Sequence, residues 1–329
     1  MGKIADTHDE LFHYTTAAGL SGILESKFLR ATHASFMNDE EEIVGFYDRI
    51  LPKILHPVFL KYAEESRDHP EFRRQQRDMS FEHYCADRFE EVMSSIKKSA
   101  SSWHDHYIAS FSTTTAPLVL EHGLLSQWRA YGSDGGYAIV FDAKALDEIL
   151  QAESKPDQEE EFSWVDVQYT GLDGNRRTSD TDTNEWIGKL EDAAGAFLRS
   201  GTTDDSSKLV SLLTVLSATF KHRGFDEERE VRLVLSLLGP SLESNPALKS
   251  IRQHPIKTMV RDGTTVPYVE LCAREVNGVK QHLPIKRIIV GPHRDKSDRK
   301  RAVQLLLKQH GLDDLIGKVS VSDIPYRGR

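Results

Sequence analysis

The chain has 329 residues, of which 39% are hydrophobic and 28% charged, a composition typical of a folded protein with one large domain or two modest ones. Its formal net charge of −9 argues against broad, nonspecific binding to duplex nucleic acid, which depends on excess lysine and arginine. No apolar run reaches the length of a membrane span, and the first ten residues are too polar for a signal peptide. The two cysteines are far apart, which argues against a disulfide framework. We therefore expect a cytoplasmic protein without membrane contact.

The hydrophobic patterns predict strands and helices in an irregular order. Strands are predicted over 11–16, 107–112, 137–141, 162–169, 230–235, 268–272, 278–283, 288–290 and 318–322. Helices are predicted over 20–28, 41–54, 70–99, 117–131, 185–198, 206–222 and 298–310. We therefore expect a single α+β domain over 1–329, with a helical insertion at about 55–104 and a flexible or helical insertion at about 171–222.

The first strand carries a histidine towards its end. Leu11, Phe12 and Tyr14 suit a short buried strand, which places His13 where the chain turns into the next helix. Such a histidine either holds a polar ligand in a cleft or lies in the core, satisfied by a backbone carbonyl group.

Hydroxyl and aromatic side chains follow in the middle of the chain. Ser110 and Ser112 share one face of their predicted strand, while Trp128 and Tyr131 are neighbours on one face of a predicted helix. Two rings at this spacing form core more often than a stacking platform.

A third group of polar residues precedes a buried strand. If the chain is extended here, Glu228, Glu230 and Arg232 share one face, and Arg232 can hold a carboxylate ionised and oriented. A surface ladder of ion pairs is the structural alternative.

Basic residues cluster near the end of the chain, either as a solvated face or as a local phosphate-binding surface. They are Lys286, Arg287, Arg294, Lys296, Arg299, Lys300 and Arg301.

Metal and common nucleotide motifs are missing from the sequence: His104 and His106 have no third ligand at a suitable spacing, and there is no Walker loop and no Gly-x-Gly-x-x-Gly turn. We expect no metal.

Taken together, these segments resemble a bacterial family known as domain of unknown function 2971. The resemblance rests on motifs that occur in the same order along nearly the whole chain. They are His13-Tyr14-Thr15 with Gly22-Ile23-Leu24, the loop Asn38-Asp39-Glu40-Glu41-Glu42, Ser110-Phe111-Ser112, Trp128 to Tyr131, Gly136 to Phe141, Glu228 to Arg232 and Ile288 to Pro292. Two positions depart from the family pattern, since Glu40 replaces a proline and Gln127 replaces a methionine.

The same order also resembles the ADP-ribosyltransferase fold, which implies a split β-sheet and NAD as substrate. By that resemblance His13 grips the nucleotide, Ser112 and Tyr131 line the nicotinamide pocket, Glu230 is the catalytic carboxylate and Glu228 its companion. The remaining residues expected to bind NAD are Tyr14, Thr15, Ser110, Trp128 and Arg232, with Asn38 and Asp39 in a loop near the site.

The resemblance implies an enzyme that cleaves the nicotinamide–ribose bond and modifies a macromolecular acceptor, either protein or nucleic acid, in a bacterial cell. A role as a toxin or in phage defence is compatible with this resemblance, and no residue here singles out either role. Two alternatives stay open. One is a nucleic-acid-binding or regulatory module without turnover, which the basic stretch and the rings of Trp128 and Tyr131 would serve. The other is an NAD glycohydrolase with water as acceptor.

Overall fold

A computed structural model describes most of the chain and gives the geometry below. The described residues are 4–37, 40–131, 135–153, 161–170, 181–238, 254–261, 263–273, 275–276, 279–280 and 282–325. The predicted loop residues Asn38 and Asp39 lie outside them, as do residues 171–180 of the insertion predicted at about 171–222. Within this part of the chain, no helix combines the length and apolar character that crossing a bilayer requires.

The protein is a mixed α+β structure built on one large mixed sheet. The strands of this sheet are β1 Glu10–Thr15, β2 Leu29–His33, β3 His104–Ser112, β4 Tyr137–Asp142, β5 Glu161–Asp166, β8 Glu230–Leu238, β9 Lys257–Arg261, β10 Thr264–Leu271, β13 Ile285–Val290 and β14 Val319–Val321. Two small two-stranded sheets pair β6 Gln168–Thr170 with β7 Phe220–His222, and β11 Glu275–Val276 with β12 Val279–Lys280. The large sheet runs in the order β14-β13-β4-β1-β3-β2-β10-β9, with β8 on the other edge of β3 and β5 beyond it.

The sheet forks at β3. Along one edge β3 pairs with β8 over its whole length, from His104 to Ser112. On its other edge it pairs with β1 only at Ser112, and with β2 only at Tyr107 and Ile108. The two neighbouring strands therefore diverge and leave a gap beside residues 109–111.

Helices cover the sheet and form a separate bundle. They are α1 Ile4–Thr7, α2 Ala17–Ser26, α3 Glu40–Gly45, α4 Leu51–Ser66, α5 Pro70–Gln76, α6 Phe81–Trp103, α7 Pro117–His122, α8 Leu125–Tyr131, α9 Ala143–Glu153, α10 Thr181–Ser200, α11 Thr203–Ser217 and α12 Lys296–Gln309, with a π-helical turn at Phe46–Ile50. Helices α2, α9 and α12 pack apolar side chains against the sheet in the largest core cluster. Helices α4, α6, α10 and α11 share a second apolar cluster, so the two predicted insertions pack against each other.

Several features of the fold differ from the sequence prediction. Strand β2, Leu29–His33, was not predicted, and Phe220–His222, predicted as the end of a helix, forms strand β7. Strand β9 was not predicted, because Lys257–Arg261 alternates weakly and is largely exposed at the edge of the sheet. Glu228 does not extend strand β8, since it ends a 3-10 helix over Arg223–Glu228 and the strand begins only at Glu230. The predicted shared face of an extended chain was therefore wrong for Glu228.

Candidate functional site

A pocket of about 140 Å³ opens at the fork of the sheet. Its walls come from β1, β2, β3, β8, β9, helix α8 and the residues beside them. The lining residues are Phe12, His13, Tyr14, Arg30, Thr32, Met37, Ile108, Ala109, Ser110, Phe111, Ser112, Gln127, Tyr131, Glu228, Glu230 and Arg261. The fork thus brings together polar side chains that lie far apart in the sequence.

His13 bridges the gap between the diverging strands. Its Nδ1 lies 3.2 Å from the carbonyl oxygen of Ser110 on β3. A carbonyl oxygen only accepts, so Nδ1 carries the proton and Nε2 of the neutral ring is an acceptor. Burial lowers the pKa of His13 below its ordinary value, although the bond to Ser110 acts in the opposite direction. The ring is therefore held neutral and fixed in one tautomer.

The carboxylate wall, Glu228 and Glu230, lies on the β8 side of the pocket. Arg232 holds Glu230 with two charge-assisted bonds, from Nε to Oε1 at 2.8 Å and from Nη2 to Oε2 at 3.0 Å. Lys221 joins the two carboxylates, because its ammonium group lies 3.1 Å from Oε2 of Glu230 and 3.0 Å from Oε2 of Glu228. Neither cation lines the pocket, so carboxylates face the cavity while their counter-charges lie behind them.

Glu230 is fixed in its ionised form. Burial alone would raise the pKa of this carboxyl group, which is only 6% exposed, but the charge and hydrogen bonds of Arg232 and the charge of Lys221 lower the pKa to about 2. The backbone N–H of Glu230 donates to the hydroxyl of Tyr169 at 2.7 Å. Arg232 in turn donates to the carbonyl oxygen of Ala218 at 3.1 Å, which anchors the cluster to the end of α11.

A left-handed residue explains how Glu228 reaches the pocket without being on the strand. Arg229 has φ +41° and ψ +56°, a conformation uncommon for a residue with a Cβ atom. Its carbonyl oxygen accepts from the backbone N–H of Thr113 at 2.9 Å, which ties the turn to the end of β3. The turn places Glu228 and Glu230 on the pocket, while Arg229 lines a separate groove of about 1040 Å³.

Helix α8 is anchored by Trp128 and contributes the aromatic part of the pocket. Trp128 is fully buried, its ring meets that of Tyr14 edge-on at 4.8 Å, and its Nε1 donates to the carbonyl oxygen of His122 at 3.0 Å. Gly123, at φ +74°, lies so close to this ring that a Cβ atom would come within 2.5 Å of it. With the helix fixed in this way, Gln127 is buried in the pocket lining and Tyr131 lies there half-exposed.

The structure places most of the predicted site residues on the pocket. His13, Tyr14, Ser110, Ser112, Tyr131, Glu228 and Glu230 line it directly. Arg232 lies behind Glu230, and Trp128 lies in the core behind Tyr14, so both act on the lining rather than forming it. Thr15 is on β1 but not on the pocket.

Several residues of the site were missed from the sequence. Arg30 and Arg261 come from strands with no recognisable motif, and Lys221 lies behind the wall on the short strand β7. Gln127 carried a usable signal, since it directly precedes Trp128 at the position where the family pattern has a methionine.

The basic stretch near the end of the chain is partly neutralised. Lys286 and Arg287 both pair with Glu10, at 3.1 and 2.5 Å, and Lys296 pairs with Asp323. None of the predicted basic residues lines the pocket; Lys286 and Arg287 line the separate groove.

Comparison with known families identifies one region of the chain. Residues 127–233 match the family described as "Protein of unknown function (DUF2971)". This segment is a DUF2971 region, which confirms the predicted family. It runs from Gln127 on α8 to the start of β8 and so contains the carboxylate wall. No curated protein and no solved structure gives a significant match to the chain.

Proposed function

We propose that this protein is an NAD-dependent enzyme of the ADP-ribosyltransferase type, which cleaves the nicotinamide–ribose bond and transfers ADP-ribose to a macromolecular acceptor. The observation that carries the proposal is the meeting of His13 with Glu228 and Glu230 in one pocket at a forked sheet. The split sheet expected of that fold has a counterpart in the divergence of β1 and β2 from β3.

The chemistry requires a fixed negative charge beside a sugar. When the bond from the nicotinamide nitrogen to the ribose C1′ breaks, its electron pair leaves with nicotinamide and positive charge develops on the ribose, as in glycoside cleavage. A nucleophilic oxygen or nitrogen of the acceptor then bonds to C1′ and loses its proton. Glu230, ionised and held by Arg232, would stabilise the cationic ribose without having to reorient.

The other lining residues fit the remaining parts of the substrate. Nε2 of the neutral His13 ring is an acceptor suited to a ribose hydroxyl. Tyr131 offers a flat face for the nicotinamide ring, and Ser112 offers a hydroxyl next to it. A cavity of about 140 Å³ holds only a part of a dinucleotide, so the rest of NAD would extend out of its mouth.

The decisive experiment measures nicotinamide release from NAD by the purified protein and by its Glu230→Gln variant. Loss of a preorganised charge that acts in the transition state should reduce turnover by about 100-fold or more. Glu227→Gln is the matched control, because Glu227 is exposed, neighbours the same turn and does not line the pocket. Unchanged turnover in Glu230→Gln would remove this residue from the mechanism.

A second variant keeps the test valid if Glu230→Gln disturbs folding. Glu228→Gln removes the ion pair to Lys221 from a side chain that is 17% exposed, more than Glu230, so we expect it to fold. Its turnover should fall as well if the two carboxylates act together. Mass spectrometry of protein incubated with NAD and cell extract then identifies the acceptor, and release of free ADP-ribose with no modified macromolecule would indicate a glycohydrolase.

A further inference from the structure

Two arginines form a second charged wall of the pocket, across from the carboxylates. We call Arg30 on β2 and Arg261 on β9 the arginine wall; both line the same cavity as Glu228 and Glu230. Strand β10 lies between β2 and β9 and pairs with both, which sets the two arginines on one arm of the fork.

Arg30 is held by aromatic rings rather than by an acid. Its guanidinium carbon lies 5.0 Å from the centre of the Tyr268 ring and 5.9 Å from that of Phe28. Its cross-strand neighbour on β10 is Glu270, but that carboxylate is bound by Lys257 at 2.7 Å. The side chain is thus oriented by the two rings, and no ion pair among the described residues includes it.

Arg261 is oriented by a hydrogen bond. Its Nη2 donates to the carbonyl oxygen of Phe36, which fixes one end of the guanidinium group. Among the described residues, no carboxylate lies within ion-pair distance of Arg261 or Arg30. Two oriented guanidinium groups with spare N–H donors therefore line one side of the cavity.

We infer that Arg30 and Arg261 form a subsite for the diphosphate group of the substrate. Guanidinium groups bind phosphate oxygens with two parallel hydrogen bonds, and two of them match the two phosphates of a dinucleotide. The opposite wall repels an anion and attracts a cation, so a ligand with an anionic middle and a cationic nicotinamide end suits both walls. The assignment of this diphosphate to NAD rests on the proposed function.

Calorimetry with inorganic diphosphate tests the subsite without using the proposed activity. We expect the unmodified protein to bind diphosphate, and Arg30→Gln and Arg261→Gln each to weaken binding at least tenfold, or about 1.4 kcal/mol. Arg30→Lys keeps the positive charge but loses the planar guanidinium group. Its affinity for diphosphate should therefore lie between that of the unmodified protein and that of Arg30→Gln. Arg301→Gln is the control, since Arg301 is an exposed residue of α12 that does not line the pocket. Equal affinity in all variants, or no binding at all, would overturn the inference.

Turnover measurements separate this inference from the proposed function. For NAD, the two arginine variants should raise KM at least tenfold with kcat within about threefold. For nicotinamide riboside, which lacks phosphate, KM should not change. If neither substitution changes NAD turnover, the subsite is refuted but the proposed function is not. If diphosphate binding depends on both arginines but the protein does not turn over NAD, the proposed function is refuted but the subsite is not.

Discussion

The two walls of the pocket carry opposite charges and are built in different ways. In the carboxylate wall, Glu230 is buried and bound by Arg232 and Lys221 at 2.8 to 3.1 Å. In the arginine wall, Arg30 is exposed and stacked on Tyr268, and no described carboxylate balances it. The carboxylates of one wall face the cavity with their counter-charges behind them, while the guanidinium groups of the other form no ion pair with the described residues.

This difference separates two tasks of a binding site. A paired and buried carboxylate cannot reorient, which suits the stabilisation of charge that develops during a reaction. An exposed guanidinium held by a ring keeps its hydrogen-bond donors for an incoming anion. The comparison predicts that substitutions in the first wall mainly change folding stability and turnover, whereas substitutions in the second mainly change affinity.

The largest effect on stability is expected from Arg232→Gln. Because Arg232 and Glu230 are both buried, removing the guanidinium leaves a buried carboxylate with Lys221 as its remaining counter-charge among the described residues. The loss should cost about 3–5 kcal/mol in the free energy of unfolding. Chemical denaturation measures this change in the free energy of unfolding, and Arg30→Gln is the comparison variant on the other wall. Arg30→Gln should change stability by no more than about 0.5 kcal/mol. Similar values for the two variants would contradict the proposed difference between the walls.

Acid should release the stabilisation provided by the carboxylate wall. The pKa of Glu230 is about 2 in the folded protein and 4.5 ordinarily, so its ionised form stabilises the fold above pH 4.5 and this contribution is lost as the pH falls towards 2. The shift corresponds to about 3 kcal/mol. Unfolding should therefore be measured at pH 7 and pH 3 for the unmodified protein and Glu230→Gln. The stability difference between them should shrink at pH 3; a constant difference would show that Glu230 is not held in this way.

The smallest effect concerns His13, which lines the same pocket. Because burial lowers its pKa below the ordinary 6.5, the ring should stay neutral at pH 6.5, and stability should decrease as the pH falls below this value. Nitrogen NMR of the imidazole, assigned with His13→Gln, should show a midpoint below 6.5 and the proton on Nδ1. A proton on Nε2 at neutral pH would mean that the bond to Ser110 is absent.

The sequence alone was sufficient for the elements with strong local patterns. The apolar run of β4 was predicted to within one residue of its observed bounds, because buried strands need continuous apolar residues. Strands β8 and β13 were predicted over part of their length, at 230–235 and 288–290. The mixed α+β class and the DUF2971 region follow from the same local information. The motifs also named His13, Ser112, Tyr131 and Glu230, all of which line the pocket.

Only the tertiary structure determined which charged side chains lie close together. The fork at β3 depends on pairing between strands that are distant in the sequence. No local sequence pattern predicts that β1 and β2 pair with β3 at different positions along it. Lys221 reaches both carboxylates, and Arg261 joins Arg30, because the sheet order brings distant segments together. The sequence determined the chemical groups available, and the pairing of strands determined which of them form ion pairs and which of them line the pocket.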